Sequence, residues 1–577
     1  MQPTGKSWRT FGVSLLMSAL AVAPSFGRTT DEAVRAAVAS GQSARVIMQF
    51  ASTAERDAAF NRLLDLGAAV RVVDTEAGPA LVVSGSAAKF RSEFSRASQV
   101  SIDAGVHVLA SPPARDTSAK KTQRGSGGSI QGPSRGGMAV AIIDSGIAPH
   151  ADLPLSRIRF YKDFVTGGTI PVDGCGHGTH VAGIIAGSGA HSDGAYAGIA
   201  PGADIVALRV LGDDCSGNTS DVIDALEWIG RNHASYNIKV VNLSLGHAVL
   251  ESIFTDPLVQ AVERLSRKGV AVVTAAGNKG INPTTGNPGY GGVGVPCNAP
   301  SAICVGSLDT KNAVDLADDR VSDSSSRGPT RFDLLAKPDL VAPGVNIVSL
   351  AAKGSRLFNE FPDLRVAGTT GKPEYFMLSG TSMASPAVAG AALLLLRANN
   401  QLAVNTLKVA LQFTSRLLPL TDVLTQGAGA LNIPGALIVA DAINTNAAHG
   451  TNWIRHRLTA SNRDASGNVI RWGRRIIYGD RFVHPKYAEI HLARWDDGLV
   501  WAYDAVEDHI VWGNDDNIVW GNSDDDNIVW GNSYLRDVWA SNVVWGFWDD
   551  NIVWGNVTRA TEGNIVWGNA VLTGGRR

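Results

Sequence analysis

The amino-acid sequence predicts an α/β protein: a parallel sheet with helices on both faces, preceded by a ferredoxin-like α+β domain and followed by a β-rich repeat region. Three observations predict this arrangement. Residues 45–103 alternate between short strands and helices, the region from Met138 alternates apolar strands with helices, and residues after about 465 repeat a tryptophan motif. At 577 residues the chain exceeds a single hydrophobic core, so several domains are expected.

The amino-terminal domain is predicted from apolar residues at strand and helix spacing. Its segments follow the order β-α-β-β-α-β of a ferredoxin-like domain; they are Val46–Phe50, Ser52–Leu66, Val70–Val73, Ala80–Val83, Ser86–Ala97 and Val100–Ile102. The following stretch, Ser111–Gly137, is rich in Ser, Gly, Pro, Lys and Arg. This composition indicates a flexible, cleavable linker.

Four apolar runs predict the strands of the main sheet: Met138–Ile143, Ile205–Leu211, Ile238–Leu243 and Val270–Ala275. Between the second and third runs, Thr219–Ile229 carries apolar residues at helical spacing. Alternating strands and helices predict a parallel sheet covered on both faces. In such sheets functional groups collect beyond the carboxyl ends of the strands, where this sequence places Asp144, Ser244 and Asn278.

The first 27 residues are typical of a signal peptide, because Lys6 and Arg9 precede an apolar run from Phe11 to Ala23. That run is too short to span a bilayer, and no other uninterrupted apolar run has spanning length. We therefore expect a secreted protein, extracellular or at the cell surface, with no membrane span after signal removal. The net charge of −2 gives no support to a nucleic-acid or anionic-membrane partner.

Export makes disulfides possible, and the chain has four cysteines, Cys175, Cys215, Cys297 and Cys304. Four cysteines allow three pairings, and spacing does not choose among them. No two cysteines have C-x-x-C spacing, which argues against a metal site.

Three separate segments carry residues of the kind that activate a nucleophile. Asp144 ends a strand in Ile-Ile-Asp-Ser-Gly, His177 lies in Gly-His-Gly-Thr-His-Val-Ala-Gly, and Ser382 lies in Gly-Thr-Ser-Met-Ala-Ser-Pro. Each alone has a simpler explanation. Asp144 could form a turn and Ser382 could cap a helix. His177 could be structural or could bind a metal with His180, although no H-E-x-x-H pattern completes a zinc site.

Together, in the order Asp, His, Ser, the segments resemble the three signatures of the subtilisin family, the subtilases. The resemblance covers residues from about 135 to 440. It implies a serine endopeptidase (peptidase S8, EC 3.4.21) that acts on protein or peptide substrates through an acyl-enzyme intermediate. His177 would be the general base, Asp144 would orient and stabilise its imidazole, and Ser382 would be the nucleophile. No cofactor is required for this chemistry.

The resemblance also implies an oxyanion hole and a substrate cleft. Asn278, in Thr-Ala-Ala-Gly-Asn, should donate its side-chain amide beside the Ser382 backbone N–H. Ser244, Leu245 and Gly246 would pair with the substrate as an antiparallel strand. The pocket for the residue before the scissile bond would have a wall formed by Ala275, Ala276 and Gly277 and a base at Gly294. Because these positions carry no charge, we expect a broad preference for large apolar or aromatic residues there.

Further parts of the chain are assigned by the same resemblance. The amino-terminal domain is similar to the family's propeptide, an intramolecular inhibitor that Ser382 would cleave off within Ala110–Gly137. The disulfides of secreted relatives imply the pairs Cys175–Cys215 and Cys297–Cys304. Structural calcium is allowed, with Asp152 as the candidate ligand, although the family's calcium loop is not recognisable after the His177 helix. The predicted boundaries are signal peptide 1–27, propeptide 28–110, linker 111–134, catalytic domain 135–445 and repeat region 446–577.

The repeat region lies outside this resemblance. Asn-Ile-Val-Trp-Gly-Asn occurs at 517–522, 527–532, 551–556 and 564–569, with variants at 509–514 and 542–546 and degenerate copies at 468–473 and 475–480. Each copy is predicted to be a short strand, and copies must pair or stack in a solenoid or meander because one copy cannot bury its own apolar residues. The aspartates at 515–516, 524–526 and 549–550 would bind calcium or, as we favour, protect strand edges. Attachment, substrate binding and stability are all open as the role of the repeats.

Two other function classes fit the sequence less well. An adhesive protein with a vestigial peptidase domain would have no need of an intact Asp144, His177, Ser382 and Asn278. A lipase or esterase requires a G-x-S-x-G motif and the order Ser, Asp, His, neither of which fits Ser382.

Overall fold

The computed structural model describes residues 29–30, 32–40, 42–110, 137–283, 285–311, 316–446, 454–464 and 466–478, and the backbone of short strands between 481 and 567. The predicted signal peptide and nearly all of the predicted linker lie outside the described residues.

The amino-terminal domain has the predicted βαββαβ order, with one helix and two strands added. Its elements are β1 (Thr29–Thr30), α1 (Glu32–Ser40), β2 (Ser43–Gln49), α2 (Thr53–Asp65), β3 (Ala69–Thr75), β4 (Gly78–Ser86), α3 (Ala87–Phe94), β5 (Gln99–Ile102) and β6 (Gly105–Val108). The sheet order is β1-β5-β2-β4-β3, and the pairs among β2 to β5 are antiparallel, as in a ferredoxin-like fold. Side chains alternate along β2, so Val46 and Met48 pack in this domain's core while Ile47 joins the core of the next domain.

The second domain contains an eight-stranded sheet. Its elements are β7 (Ala139–Asp144), β8 (Ile158–Asp163), α4 (His177–Ala186), β9 (Asp204–Arg209), β10 (Ser216–Asn218), α5 (Thr219–Tyr236), β11 (Ile238–Leu243), β12 (Leu245–Gly246), α6 (Pro257–Arg267), β13 (Ala271–Ala275), β14 (Ile303–Asp309), β15 (Arg320–Val321), β16 (Leu340–Pro343), β17 (Ile347–Leu350), α7 (Arg356–Glu360), β18 (Arg365–Ala367), β19 (Pro373–Leu378), α8 (Thr381–Ala398), α9 (Val404–Thr414), α10 (Val423–Gln426) and α11 (Ile433–Ala442). The sheet order is β15-β14-β13-β11-β7-β9-β8, with β16 also beside β14, and every pair except β14–β15 is parallel. The predicted, mainly parallel sheet is confirmed.

Helices cover both faces of this sheet. Along β7, Val140 and Ile142 pack on the side of α4 and α8, whereas Ala141 and Ile143 pack on the side of α5 and α6. Among the described residues, α8 alone is long and apolar enough to cross a membrane, but 89% of it is buried inside the protein. It is therefore the central helix of the core.

The amino-terminal domain docks on the start of α5. The Asp103 carboxylate accepts hydrogen bonds from the Ser220 backbone N–H at 2.7 Å and the Ser220 hydroxyl at 2.8 Å, and so caps that helix. Arg71 pairs with Asp221 at 3.1 Å and also with Asp224. Because β6 follows Asp103 by two residues, these contacts hold β6 against the second domain.

Residues 454–478 also pack on the second domain. Trp472 is 5% exposed and meets Phe413 of α9 edge-on, with ring centroids 5.8 Å apart. Ile476 is fully buried, and the Ile477 N–H donates to the Gln412 side chain at 2.8 Å. The packed unit therefore extends to residue 478, past the boundary predicted at 445, and includes residues 468–473 and 475–478 of the segments predicted from sequence to be degenerate repeat copies.

A hydrogen-bonded pair of side-chain amides connects the segment 454–478 to the second domain. Asn432 donates to Asn462 at 2.7 Å, Asn462 donates back at 3.2 Å, and the Trp472 indole N–H donates to the Asn462 carbonyl oxygen at 2.6 Å. We expect Asn462→Ala to lower the free energy of unfolding by about 1–3 kcal/mol, because buried donors lose their acceptor. Urea denaturation measures this effect. Ser466→Ala, at an exposed turn, is the control and should change it by less than about 0.5 kcal/mol.

The remaining strands follow residue 460. They are β20 (Ser461–Arg463), β21 (Val469–Arg471) and β22 (Ile476–Tyr478) in the packed segment, then β23 (Arg481–Val483), β24 (Asp504–Ala505), β25 (Ile510–Trp512), β26 (Ile518–Gly521), β27 (Asn527–Val529), β28 (Asn542–Gly546), β29 (Asn551–Gly555) and β30 (Ile565–Trp567). Among them, β25 to β30 fall on the clear repeat copies. Strands β24 to β27 pair antiparallel in chain order, which is a meander. The three predicted aspartate clusters lie outside the described residues.

Candidate active site

The carboxyl end of β7 and the start of α4 bring Asp144 and His177 together. His177 Nδ1 lies 2.8 Å from Asp144 Oδ1, and both side chains are fully buried. The same carboxylate oxygen accepts the Ser145 backbone N–H at 2.7 Å. Within the described part of the chain, His177 Nε2 has no hydrogen-bond partner. The imidazole is thus held through Nδ1, with Nε2 left to take a proton.

Asp173 positions the first turn of α4 and was not identified from the sequence. Its carboxylate accepts the N–H groups of Gly176 and Thr179 at 2.7 and 2.8 Å and the hydroxyls of Thr179 and Ser145 at 2.6 and 2.8 Å. The two backbone N–H groups are of the kind that a helix start leaves without a partner inside the helix. An aspartate shortly before a helix start is a capping signal, and it would have marked this residue.

His180, the second histidine of the motif, is structural. It is fully buried, and its Nε2 lies 3.0 Å from the Phe376 carbonyl oxygen and 3.2 Å from that of Ile347. Burial, with a smaller contribution from nearby His177, lowers its pKa to about 3. A neutral His180 donates from Nε2 to these carbonyl oxygens, which fixes the orientation of its ring in the core.

Ser382 is the second residue of α8, at the positive end of the helix dipole. Its hydroxyl donates to the Ser244 carbonyl oxygen at 2.7 Å. The Ser244 hydroxyl donates in return to the Ser382 carbonyl oxygen at 3.0 Å and lies 2.9 Å from the Ser385 hydroxyl. The structure therefore joins Ser382 to Ser244, rather than to His177, in the conformation described.

Two donors converge on one carbonyl oxygen, that of Leu109. The Asn278 side-chain amide donates to it at 2.7 Å and the Ser382 backbone N–H at 3.2 Å. The Asn278 carbonyl oxygen accepts the Thr381 N–H and hydroxyl at 3.1 Å each, which orients the amide. A Cβ on Gly380 would lie 2.6 Å from the Leu109 oxygen, so only glycine leaves room there. This arrangement can stabilise negative charge on a carbonyl oxygen.

The chain leading to Leu109 is bound as an extended strand. β6 lies between β12, with Leu245 opposite Val108, and β10, with Gly217 opposite Val106; both pairs are antiparallel. The Leu109 N–H donates to the Ser244 carbonyl oxygen at 3.3 Å. The segment Ser244–Gly246, predicted to pair with an extended peptide, here pairs with this chain's own residues.

One predicted cleft residue, Gly246, lies close to the Leu109 side chain. Ala275, Ala276 and Gly277 are buried, and the Gly294 N–H donates to the Ala276 carbonyl oxygen at 3.1 Å. A Cβ on Gly246 would lie 3.4 Å from the Leu109 side chain. Sequence analysis did not single out Leu109, because nothing in its local sequence signals its hydrogen-bond partners.

Both disulfides implied by the resemblance are present. Cys175 is bonded to Cys215, with Cα atoms 5.2 Å apart, and Cys297 is bonded to Cys304, with Cα atoms 4.9 Å apart. The first joins the segment before His177 to the residue before β10. The second packs against Ala276 and Val293 beside the pocket.

Asp152 does not fit a calcium ligand in this structure. One carboxylate oxygen accepts the Ser188 hydroxyl at 3.0 Å and the His191 N–H at 2.9 Å, and the other accepts the Tyr375 hydroxyl at 2.5 Å. Burial, together with this bond, raises the pKa of Tyr375, so Tyr375 stays a proton donor. Among the described residues, no group of three or more His, Cys, Asp or Glu side chains could hold a metal ion.

Replacing Asn278 tests the two-donor arrangement directly. We expect Asn278→Ala to lower kcat for peptide hydrolysis about 10²- to 10³-fold with a small change in KM, because a donor to the developing oxyanion is lost. Asn287→Ala, at an exposed position of the following loop, should leave kcat unchanged. Equal kcat values for the two variants would contradict the assignment.

Comparison with known proteins agrees with the family resemblance of the sequence motifs. Residues 135–436 match the model of the subtilase family, peptidase S8. The chain is 37% identical over 353 residues to serine protease AprX of Bacillus subtilis, covering 60% of this chain and 76% of AprX. It is also 37% identical over 263 residues to Subtilisin Savinase of Lederbergia lenta, covering 46% of this chain and 77% of that protein.

A solved structure gives a likeness of fold. Fervidolysin from Fervidobacterium pennivorans, described as a keratinolytic enzyme related to subtilisin, aligns with a TM-score of 0.53. The alignment covers 74% of this chain and 64% of fervidolysin, at 19% identity.

Proposed function

Since the chain belongs to the subtilase family and is a subtilisin-like serine peptidase, we propose that it is a secreted endopeptidase whose triad is Asp144, His177 and Ser382. Asn278 and the Ser382 backbone N–H form its oxyanion hole. The proposal is carried by one observation, the convergence of these two donors on one peptide carbonyl oxygen; the buried Asp144–His177 pair would supply the base.

Each residue has a role set by its position. Rotation of the Ser382 side chain moves its hydroxyl from the Ser244 carbonyl to His177 Nε2, which takes the proton as Oγ attacks the substrate carbonyl carbon. Asp144 keeps the Nδ1–H tautomer and stabilises the imidazolium. The negative oxygen of the tetrahedral intermediate is held by Asn278 and the Ser382 N–H. His177 then protonates the leaving amine, and a water molecule hydrolyses the acyl-enzyme.

The proposed substrate preference is broad, with large apolar residues favoured before the scissile bond. Leu109 occupies this position beside Gly246, and no charged side chain is among the assigned pocket residues. Val106, three residues earlier, is fully buried among apolar side chains of the second domain. We expect a peptide-library profile dominated by Leu, Phe, Tyr and Met before the cleaved bond; a profile dominated by Arg or Lys would contradict this assignment.

Export and inhibition belong to the same proposal. Secretion is supported by the signal-like residues 1–27 and by similarity to subtilisins. Inhibition by the amino-terminal domain is supported by β6, which fills the strand position that a substrate would need. The domain would therefore be a propeptide that blocks the enzyme until it is removed.

Active-site labelling tests the proposed function. A serine-directed phosphonate should label Ser382 in the mature enzyme and abolish casein hydrolysis. Ser382→Ala should bind no label, whereas Ser385→Ala, one turn further along α8, should still be labelled. Unlabelled wild-type protein without casein hydrolysis would overturn the proposal.

A further inference from the structure

We propose that the bond this enzyme cleaves in its own chain is Leu109–Ala110, so that the mature protein begins at Ala110. The inference rests on the proposed function and deepens it by naming its first substrate. Sequence reasoning placed the cleavage within Ala110–Gly137 and the end of the propeptide at 110 without assigning a bond; the proposed bond is one residue earlier than that boundary.

The hydrogen bonds around Leu109 assign the bond. Its carbonyl oxygen is the common acceptor of the Asn278 amide and the Ser382 N–H, and its own N–H donates to the Ser244 carbonyl. Ser382 therefore contacts Leu109 directly through its backbone N–H. It also contacts Leu109 indirectly, because the Ser382 hydroxyl donates to the same Ser244 carbonyl oxygen that accepts the Leu109 N–H. A carbonyl in an oxyanion hole belongs to the residue before the bond that breaks.

The neighbouring chain agrees with this register. β6 ends at Val108, so Leu109 and Ala110 follow the paired strand without a gap. A Cβ on Gly380 would lie 3.1 Å from the Ala110 Cα, which shows how closely the chain after Leu109 passes the start of α8. Residues Ser111–Gly137 have the linker composition noted above, so cleavage at Ala110 frees that linker from the amino-terminal domain.

The reaction balances without any further reactant than water. Ser382 Oγ bonds to the Leu109 carbonyl carbon, and its proton passes to His177 Nε2. The Leu109–Ala110 C–N bond breaks as His177 gives the proton to the Ala110 amine. Water then hydrolyses the ester, leaving a Leu109 carboxylate and restoring the Ser382 hydroxyl.

The cleaved fragment should remain bound at first. Its contacts through Asp103 with Ser220, through Arg71 with Asp221, and through both edges of β6 do not involve the broken bond. The product therefore continues to occupy the cleft as an inhibitor, and release of the fragment, rather than cleavage, exposes the site.

The experiment identifies the carboxyl terminus of the released fragment, because later trimming of the mature protein does not alter it. The full chain is expressed as wild type, Ser382→Ala, Leu109→Asp and His107→Asp, and early products are analysed by mass spectrometry. We expect a fragment ending at Leu109 in wild type and in His107→Asp, whose changed side chain is exposed. Ser382→Ala should stay intact, and Leu109→Asp should be cut at least about 100-fold more slowly at this bond, since a charge enters an apolar pocket.

The outcomes separate this assignment from the proposed function. A wild-type fragment ending elsewhere, with Ser382→Ala intact, overturns the bond and leaves the peptidase function in place. A purified Ser382→Ala protein that still yields the Leu109 terminus overturns self-cleavage, and phosphonate labelling of wild type then decides the function independently. Unchanged cleavage of Leu109→Asp at position 109 also overturns the assignment.

A different observation carries a second inference: we propose that the Cys175–Cys215 disulfide positions the extended substrate. Cys215 immediately precedes β10, and its carbonyl oxygen accepts the Val108 N–H at 3.4 Å. β10 then pairs with β6 through Ser216, Gly217 and Asn218. The disulfide therefore ends next to β10, the strand that pairs with residues upstream of the scissile peptide bond.

The two ends of this disulfide differ in how firmly they are held. The Cys175 end is fixed by the Asp173 carboxylate on Gly176 and by the Leu357 N–H, which donates to the Cys175 carbonyl at 3.1 Å. At the Cys215 end, β10 pairs with β6, and Gly217 of β10 forms an isolated bridge with Leu211 across a turn. When the propeptide leaves, the disulfide ties this short strand to the rigid start of α4.

Paired variants test this role in the mature enzyme. We expect Cys175→Ser/Cys215→Ser to raise KM about 10-fold for a peptide with four residues before the bond, the equivalent of one or two lost backbone hydrogen bonds. Hydrolysis of a single-residue ester should keep its KM and kcat. Cys297→Ser/Cys304→Ser, beside the shared pocket, is the control and should affect both substrates alike.

Other results would overturn the second inference. An equal change for both substrates in Cys175→Ser/Cys215→Ser would indicate a general effect on His177, and no change would exclude a positioning role. Should that variant fail to fold, dithiothreitol reduction of folded Cys297→Ser/Cys304→Ser enzyme, whose one described disulfide is Cys175–Cys215, gives the same comparison of the two substrates.

Discussion

Replacing His177 with alanine is expected to lower kcat for peptide hydrolysis about 10⁶-fold, the loss found for the corresponding change in subtilisin itself. Under the proposed mechanism, the Ser382 hydroxyl loses the base that takes its proton, and the leaving amine loses its acid. The variant should fold normally because the imidazole makes a single described hydrogen bond, to Asp144. Active-site kinetics on a purified chromogenic peptide, with the propeptide removed by an added protease, would measure the loss.

A matched control is available in the same domain. His191→Ala removes a partly exposed imidazole that contacts Glu374 at 3.1 Å, and it should leave kcat within about twofold because His191 is not among the proposed catalytic or cleft residues. A loss below about 100-fold for His177→Ala would show that another group acts as the base and would remove His177 from the proposed triad.

The parts of the fold that the sequence predicted are those with strong local patterns. β7, β9, β11 and β13 were predicted because each is a buried apolar run, and the ferredoxin-like order was predicted because its strands and helices alternate clearly. The positions of Asp144 and Asn278 at strand ends were predicted because functional groups collect at the carboxyl ends of parallel strands, whereas their roles came from the family resemblance. Placing His177 and Ser382 beside them required the family resemblance, since each lies in a small-residue segment with several local explanations.

Long-range contacts could not be predicted in the same way. The partners of Leu109 lie more than a hundred residues away in the sequence, at Ser244, Asn278 and Ser382, and a two-strand stretch such as β5 to β6 carries no mark of them. Likewise, Trp472 stands in a degenerate copy of the repeat motif, yet it packs on Phe413. A repeat copy and a core segment can have similar local sequences. What distinguishes them is whether another part of the chain buries the segment.

The largest expected effect on stability comes from a buried charge cluster centred on Asp339. Its carboxylate accepts Lys337 Nζ at 2.8 Å and Lys408 Nζ at 2.9 Å, and all three side chains are at most 1% exposed. The Cys304 N–H and the Gln412 amide complete its hydrogen bonds at 2.8 and 3.1 Å. Through Gln412 the cluster reaches Ile477, so it joins the sheet, α9 and the segment after the family match.

Asp339→Asn should lower the free energy of unfolding by about 3–5 kcal/mol, because it leaves the buried Lys408 ammonium, and Lys337 wherever it is protonated, without a counter-charge. Urea denaturation in a Ser382→Ala background, which prevents self-digestion, measures the change. Asp323→Asn, at an exposed position, should change the value by less than about 0.5 kcal/mol. Similar midpoints for the two variants would mean that the Asp339 carboxylate does not stabilise the fold.

The cluster also predicts the direction of a pH effect. Burial, opposed by Asp339 and assisted by Lys408, lowers the pKa of Lys337 from 10.5 to about 7. Between these values the unfolded chain binds a proton at Lys337 that the folded chain does not, so the free energy of unfolding contributed by this group rises with pH. Wild type should therefore gain stability relative to Lys337→Met from pH 7 to pH 9. Because the comparison subtracts every other titrating group, a constant or falling difference would mean that Lys337 stays charged in the folded protein.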